Sequence, residues 1–206
     1  MSFRKEEKLK IHPGQMLNLL DWVYENDGEV LYAPRTVSST YFDTDDWRMF
    51  CDSEEGCVPR KKIRIRSYTE SMHTRENSAL EIKTSSVEGR YKTMSQNCNV
   101  SRLMSIGYFD TYYGICMPRV RVTYQRSYYS IRGIRLTIDQ NLGYAMVDRS
   151  RTSPHKISDP DIAVELKAEN SVGIEYLNSQ FPFERVRFSK YSRAVNAILT
   201  NTAKTV

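Results

Sequence analysis

Residues 61–68 read KKIRIRSY. Successive side chains of an extended strand point to opposite faces, so Ile63 and Ile65 share one face and Arg64 and Arg66 the other. The same period of two recurs in FRKEEKLKI (3–11), VSSTYFDT (37–44), ALEIKT (79–84), GRYKTMS (89–95), RVRVTYQRSYYSI (119–131), IRLTIDQNL (134–142), AMV (145–147) and DIAVELKA (161–168). Helical spacing is confined to HPGQMLNLLDWVYEND (12–27), with Met16, Leu19, Leu20 and Val23 on one face, and SKYSRAVNAILT (189–200). Shorter helical pieces are predicted at DTDDWRMFCDS (43–53), capped by Thr44 or Asp43, and at IEYLNSQ (174–180). Many short strands with few helices predict a mainly β (α+β) fold, a β-barrel or sandwich carrying peripheral helices.

The composition fits this outline. With 206 residues, 40% hydrophobic and 27% charged, the chain is long enough for one good core, and a single domain over 1–206 is expected. A net charge of +5 and a pI near 9.0 suit an anionic partner. No stretch approaches the roughly 20 apolar residues of a membrane span, and MSFRKEEKLK has no apolar signal core, so a soluble, cytoplasmic protein without direct membrane insertion is expected. Cys51, Cys57, Cys98 and Cys116 lack C-x-x-C spacing and read as reduced thiols, and the scattered His12, His73 and His155 point to no histidine-based metal site. SRTSPHKISDPD (150–161) reads as a long loop.

The polar parities carry the functional signal. They are Arg4, Glu6 and Lys8; Arg64 and Arg66; Glu81 and Lys83; Arg135, Thr137 and Asp139; Glu165 and Lys167. Two arrangements produce such a pattern, an open sheet with one wet charged face or a closed barrel with a charged lumen. Like charges about 7 Å apart repel by roughly 2 kcal/mol at an effective dielectric near 20. A lumen so rich in cations therefore calls for a polyanion, with arginine forks on phosphate oxygens and glutamates on a hard divalent cation.

Eight stretches in order, FRKEEKL, SSTYFDT, RKKIRIRSY, LEIKT, PRVRVTYQRSYY, IRLTID, AVELK and RFSKYSRAV, resemble the vacuolar transporter chaperone (VTC) catalytic domain. That family is a branch of the triphosphate tunnel metalloenzymes, which also include the CYTH-type triphosphatases. The resemblance implies a closed antiparallel eight-stranded tunnel that binds triphosphate or polyphosphate with Mn²⁺ or Mg²⁺. It implies catalytic roles for Arg64, Arg66, Lys83, Arg126 and Arg135, and phosphate contacts from Lys8, Tyr124, Ser189 and Lys190, with Arg4 and Lys167 on the same polar parities. Glu165 matches the family's metal-binding glutamate, and Glu6 and Glu81 join it as candidates. A basic residue after LEIK is also implied, Arg90 or Lys92.

Two departures stand out. The triphosphatases open with Glu-x-Glu-x-Lys, whereas this chain has Arg4, Glu6 and Lys8, which favours the VTC branch. Simple alternation also sets Arg119 and Arg121 opposite in parity to Tyr124 and Arg126, so both sets share a lumen only if a bulge intervenes.

The activity implied is an ATP-dependent polyphosphate polymerase, with a separate membrane partner possible. The alternatives are a hydrolase in which Glu6 or Glu81 orients water, and a non-catalytic polyphosphate- or nucleotide-binding module. Nucleic-acid binding is not expected, since the aromatics Tyr112, Tyr113, Tyr128 and Tyr129 read as strand and core positions.

Overall fold

The computed structural model describes residues 4–68, 78–96, 98–147, 155–169 and 183–203, without the side chains of 4, 5, 169, 202 and 203. The predicted piece at IEYLNSQ and the first part of the predicted loop at 150–161 lie outside the described residues. The elements are β1 (Arg4–Ile11), α1 (Met16–Glu25), β2 (Glu29–Asp43), α2 (Arg48–Glu55), β3 (Arg60–Ser67), β4 (Ser78–Ser86), β5 (Gly89–Ser95), α3 (Val100–Ile106), β6 (Tyr108–Asp110), β7 (Gly114–Ile131), β8 (Ile134–Met146), β9 (Ile157–Asp159), β10 (Ile162–Glu169) and α4 (Lys190–Ala203). None of the described helices is long and apolar enough to cross a membrane.

The strands form a mainly antiparallel sheet in the order β1-β10-β8-β7-β2-β3-β4-β5, with β6 added to β7 and β9 to β8. The strand path is open rather than the closed barrel expected: it has two ends, β1 and β5, and no ladder joins them among the described residues. The eight-strand count of the main path and the antiparallel pairing agree with expectation. Several strands run beyond their alternating cores. β2 begins already at Glu29, ahead of the predicted segment, and its first half is exposed on both parities, which erases the period of two. β8 absorbs the predicted AMV piece by passing through Asn141, whose φ of 56° lies in the left-handed region that a bulge uses.

The chain packs as two compact units. Unit 1 comprises Met1–Arg35, Tyr124–Leu142 and Asp159–Phe188. Its core is the apolar parity of its strands: Leu9 and Ile11 of β1, Leu136 and Ile138 of β8, and Val164 and Leu166 of β10 pack with Leu19, Trp22 and Val23 of α1. Each such side chain contributes about 1.5–3 kcal/mol on full burial. The helix enters through a 3-10 turn, where the His12 ring accepts from the Gly14 amide and the Gln15 side chain accepts from the His12 amide. It leaves at Gly28, where a Cβ would lie 2.4 Å from both Val23 Cγ1 and the Val23 carbonyl oxygen, so a side chain cannot fit.

Unit 2 comprises Thr36–Thr123, Gly143–Ser158 and Ser189–Val206. Phe42, Met49, Ile63, Ile65, Val100, Tyr113 and Cys116 form its core on the apolar parity of β2 and β3. Burial pushes the Cys116 thiol up to about 12, which leaves it inert. Asp43 closes the start of α2: its Oδ1 accepts from the amides of Thr44 (2.8 Å) and Met49 (2.9 Å), and its Oδ2 from Phe50 (3.1 Å). Thr44 Oγ1 accepts from the Arg48 amide at 3.0 Å, so Asp43 and Thr44 serve the first-turn amides from upstream, while the N-cap position itself is Trp47, whose side chain makes no cap bond. The Tyr191 hydroxyl of α4 donates to the same Asp43 carboxylate.

Candidate functional site

In unit 2 the register of β2, β3, β4 and β5 turns alternation into rows. Tyr41, Arg64, Glu81 and Met94 stand side by side; Lys62, Lys83 and Lys92 form the row on one side of them, and Ser39, Arg66 and Ala79 the row on the other. The opposite parity of β3 is Ile63 and Ile65, fully buried in the core, which fixes the register and commits the basic residues to one face. Arg64 and Arg66 are nonetheless only 9% and 8% exposed, so the sheet's charged face is not an ordinary wet one.

Glu81 organises that face. Its Oε2 accepts from Arg64 Nε at 2.7 Å and pairs with Arg64 Nη2 at 2.5 Å, Arg66 Nη1 stands 4.0 Å away, and Lys92 holds Oε1. Burial alone would raise the Glu81 carboxyl, but the charges of Arg64 and Arg66 and the Lys92 contact outweigh it and hold it at about 2. Arg64 Nη1 donates to the Tyr41 hydroxyl at 2.9 Å, its guanidinium lying 5.7 Å from the Tyr41 ring centroid. Burial would raise the Tyr41 phenol as well; Arg64, Arg66 and Lys190 bring it down to about 8. Tyr191 stacks on Tyr41 at 5.0 Å, and Lys62 donates to Ser189 Oγ at 3.0 Å.

Unit 1 builds a different charged face from β1, β10, β8 and β7. The rows are Glu6, Lys167 and Arg135, then Lys8, Glu165 and Thr137, with Asp139 one step further on β8. Arg126 grips Asp139 with both prongs, Nε to Oδ1 at 2.5 Å and Nη2 to Oδ2 at 2.7 Å, and stands 3.9 Å from Glu165 and 5.3 Å from the Tyr124 ring centroid. Lys167 reaches Glu165 at 2.8 Å and Glu6 at 3.6 Å, and Lys8 reaches Glu6 at 3.1 Å. Burial works against ionisation of Glu165, yet Lys167, the adjacent Glu6 carboxyl and Lys8 together hold its pKa well below the usual carboxylate range.

The sequence-predicted residues therefore fall into two sets. Arg64, Arg66, Glu81, Lys83, Ser189 and Lys190 belong to unit 2, and Glu6, Lys8, Tyr124, Arg126, Arg135, Glu165 and Lys167 to unit 1. Arg4 belongs to β1 in unit 1, opposite Glu169, with its side chain outside the described residues. Arg135 is exposed, unlike Arg64, Arg66 and Arg126. Of the two candidates after LEIK, Lys92 contacts Glu81, while Arg90 is exposed opposite Ser85. Tyr41 and Tyr191 were missed. Tyr41 has the polar parity of VSSTYFDT, but only the β2–β3 register brings it beside Arg64.

The candidate metal donors fall in different units as well: Glu165, the match to the family's glutamate, and Glu6 belong to unit 1, and Glu81 to unit 2. Among the described residues no group of three or more His, Cys, Asp or Glu side chains is placed to hold a metal ion. Glu6 and Glu165, two adjacent hard carboxylates, do fit a divalent cation that completes its shell with water and phosphate oxygens.

Comparison with known proteins puts these faces in context. The architecture is similar to an adenylate cyclase candidate from Vibrio parahaemolyticus (15% identity, TM-score 0.55, covering 95% of this chain and 98% of that one). It is similar to a conserved hypothetical protein of Pyrococcus furiosus (14%, 0.55, 92% and 99%). A third neighbour is a candidate adenylyl cyclase from Hippeastrum, described as having a dominant triphosphatase activity (14%, 0.52, 95% and 96%). These likenesses show a shared fold. The chain belongs to the VTC domain family, whose model matches residues 3–112 and 99–199. No curated protein matches the sequence.

Proposed function

We propose that the chain is an ATP-dependent polyphosphate polymerase. The observation that carries this reading is the basic face of unit 2, where Arg64, Arg66 and Lys92 converge on Glu81 within a VTC domain. A terminal phosphate oxygen of the acceptor chain attacks the γ-phosphorus of ATP. The bond from that phosphorus to the β,γ-bridging oxygen breaks, and ADP leaves. The nucleophile is already ionised, so the transfer needs alignment and charge neutralisation rather than a general base.

Arg64 and Arg66 offer forks to phosphate oxygens, and Lys83, with Lys190, adds point charge. In unit 1, Arg126 is oriented by Asp139, and Lys8, Lys167 and Arg135 add positive charge along the same rows. Glu165 and Glu6 would hold Mn²⁺ or Mg²⁺, which supplies further charge neutralisation for phosphate oxygens.

The Hippeastrum neighbour's triphosphatase description favours a second reading, hydrolysis of a triphosphate on the same fold. Phosphorus NMR of the protein with ATP and Mn²⁺ separates the two. Growth of internal-phosphate signal with ADP supports the polymerase. Orthophosphate alone supports the hydrolase, and unchanged ATP despite saturable binding sinks both in favour of a binding module.

A further inference from the structure

Strand β7 carries a guanidinium that the residues above do not use. Cys116, Val120, Val122 and Tyr124 are buried, while Met117, Arg119, Arg121 and Thr123 between them are half-buried, so Arg121 stands on the same face as Arg119 and Thr123. Its two neighbours are engaged. Arg119 donates to Asp45 Oδ1 at 2.8 Å and lies 4.6 Å from the Trp47 ring centroid; Thr123 Oγ1 donates to the Gly143 carbonyl at 3.5 Å. Arg121 makes no hydrogen bond or ion pair with a described residue, and its Nε is sealed from solvent without a partner. Burial lowers its pKa, and no carboxylate among the described residues offsets that effect.

The floor beside it is small. The Val147 amide donates to the Arg119 carbonyl at 2.8 Å and Thr123 meets Gly143, a register that sets Ala145 opposite Arg121. Gly143 leaves room that Lys156 fills: its Cε lies 1.8 Å, and its Nζ 2.9 Å, from where a Cβ would stand. An ammonium is thereby held over the same face as the guanidinium. A desolvated cation without a counter-charge destabilises a fold and is satisfied by an anion.

We propose that Arg121 and Lys156 form an anion subsite of unit 2 that takes phosphoryl oxygens, the guanidinium as a fork and the ammonium as a point charge. The choice of ligand class rests on the function proposed above. The test measures tripolyphosphate binding by calorimetry without metal, together with thermal unfolding. Arg121→Met is expected to weaken binding about tenfold while the unliganded protein melts at the same or a higher temperature. Arg121→Lys recovers part of the affinity, and Lys156→Ala, which leaves Arg121 untouched, costs about threefold. Unchanged affinity in both Arg121→Met and Lys156→Ala overturns the subsite. So does a wild type that binds neither tripolyphosphate nor pyrophosphate. A protein that binds tripolyphosphate through Arg121 and makes no polymer refutes the polymerase and leaves the subsite standing.

Discussion

The two units write the same alternating grammar of cations and carboxylates into their strands and obtain different chemistry from it. In unit 2, Arg64, Arg66 and Lys92 crowd one carboxylate, Glu81, with Lys62 and Lys83 in the adjoining row. In unit 1, Lys8, Lys167 and Arg126 are matched by Glu6, Glu165 and Asp139. The first face has positive charge left over for an anion. The second is close to balance, its cations matched by carboxylates. Cation count alone does not separate them; the ratio of cation to carboxylate on each face does.

The largest effect that tests this contrast is expected from Arg64→Ala or Lys83→Ala, which should cut phosphate transfer by about a thousandfold or more with the fold retained, as followed by phosphorus NMR and circular dichroism. Transfer near the wild-type rate would remove the anion role from unit 2. Next comes a pair of neutralised carboxylates. Glu165→Gln should raise the Mn²⁺ concentration needed for half-maximal turnover by about 10–100-fold, whereas Glu81→Gln should leave that midpoint where it is. A shift of similar size in both variants would erase the distinction between the faces.

A smaller effect is expected in acid. The Glu81 carboxyl is held at about 2 in the folded protein against an ordinary 4.5, so its stabilisation is complete above pH 4.5 and is lost as the pH falls toward 2. The full difference is about 3 kcal/mol by linkage. Denaturant titrations from pH 5 to 2 should show this slope in the wild type and a shallower one in Glu81→Gln. The smallest effect concerns Tyr41, whose phenol falls to about 8 beside Arg64. Above pH 8 its phenolate competes for the same arginines, so tripolyphosphate affinity should decline by a few-fold. Tyr41→Phe should flatten that alkaline decline; persistence of the decline would assign it elsewhere.

Most strands were legible because one parity is uniformly apolar, as in Ile63 and Ile65 or Leu136 and Ile138, and burial of that parity sets the rest. The first half of β2 was not, since Val30, Leu31 and Tyr32 are all exposed and carry no period. Helix α3 had a readable start at Asn99, whose side chain accepts from the Arg102 amide, and a stop at Gly107, but its seven residues are too few to establish a helical period. Closure of the sheet was inferred from family likeness, and alternation within a strand carries no information about what its far edge meets. For the site, residue types and faces came from the sequence. Partners did not: that Glu81 binds Arg64 while Asp139 binds Arg126 follows from register, and register depends on contacts between distant segments. Arg121 shows the converse, a parity conflict visible in the sequence whose meaning required its surroundings.

Tyr191 gives the molecule an order of assembly. Its ring lies on Tyr41 and its hydroxyl on the carboxylate that starts α2, yet it belongs to α4, which follows every described strand. On a ribosome, β2, β3 and α2 emerge well before the side chain that joins them. The arginine face of a nascent chain is therefore unfinished until α4 is made, and phosphate binding measured on stalled chains should switch on only when residue 191 has cleared the exit tunnel.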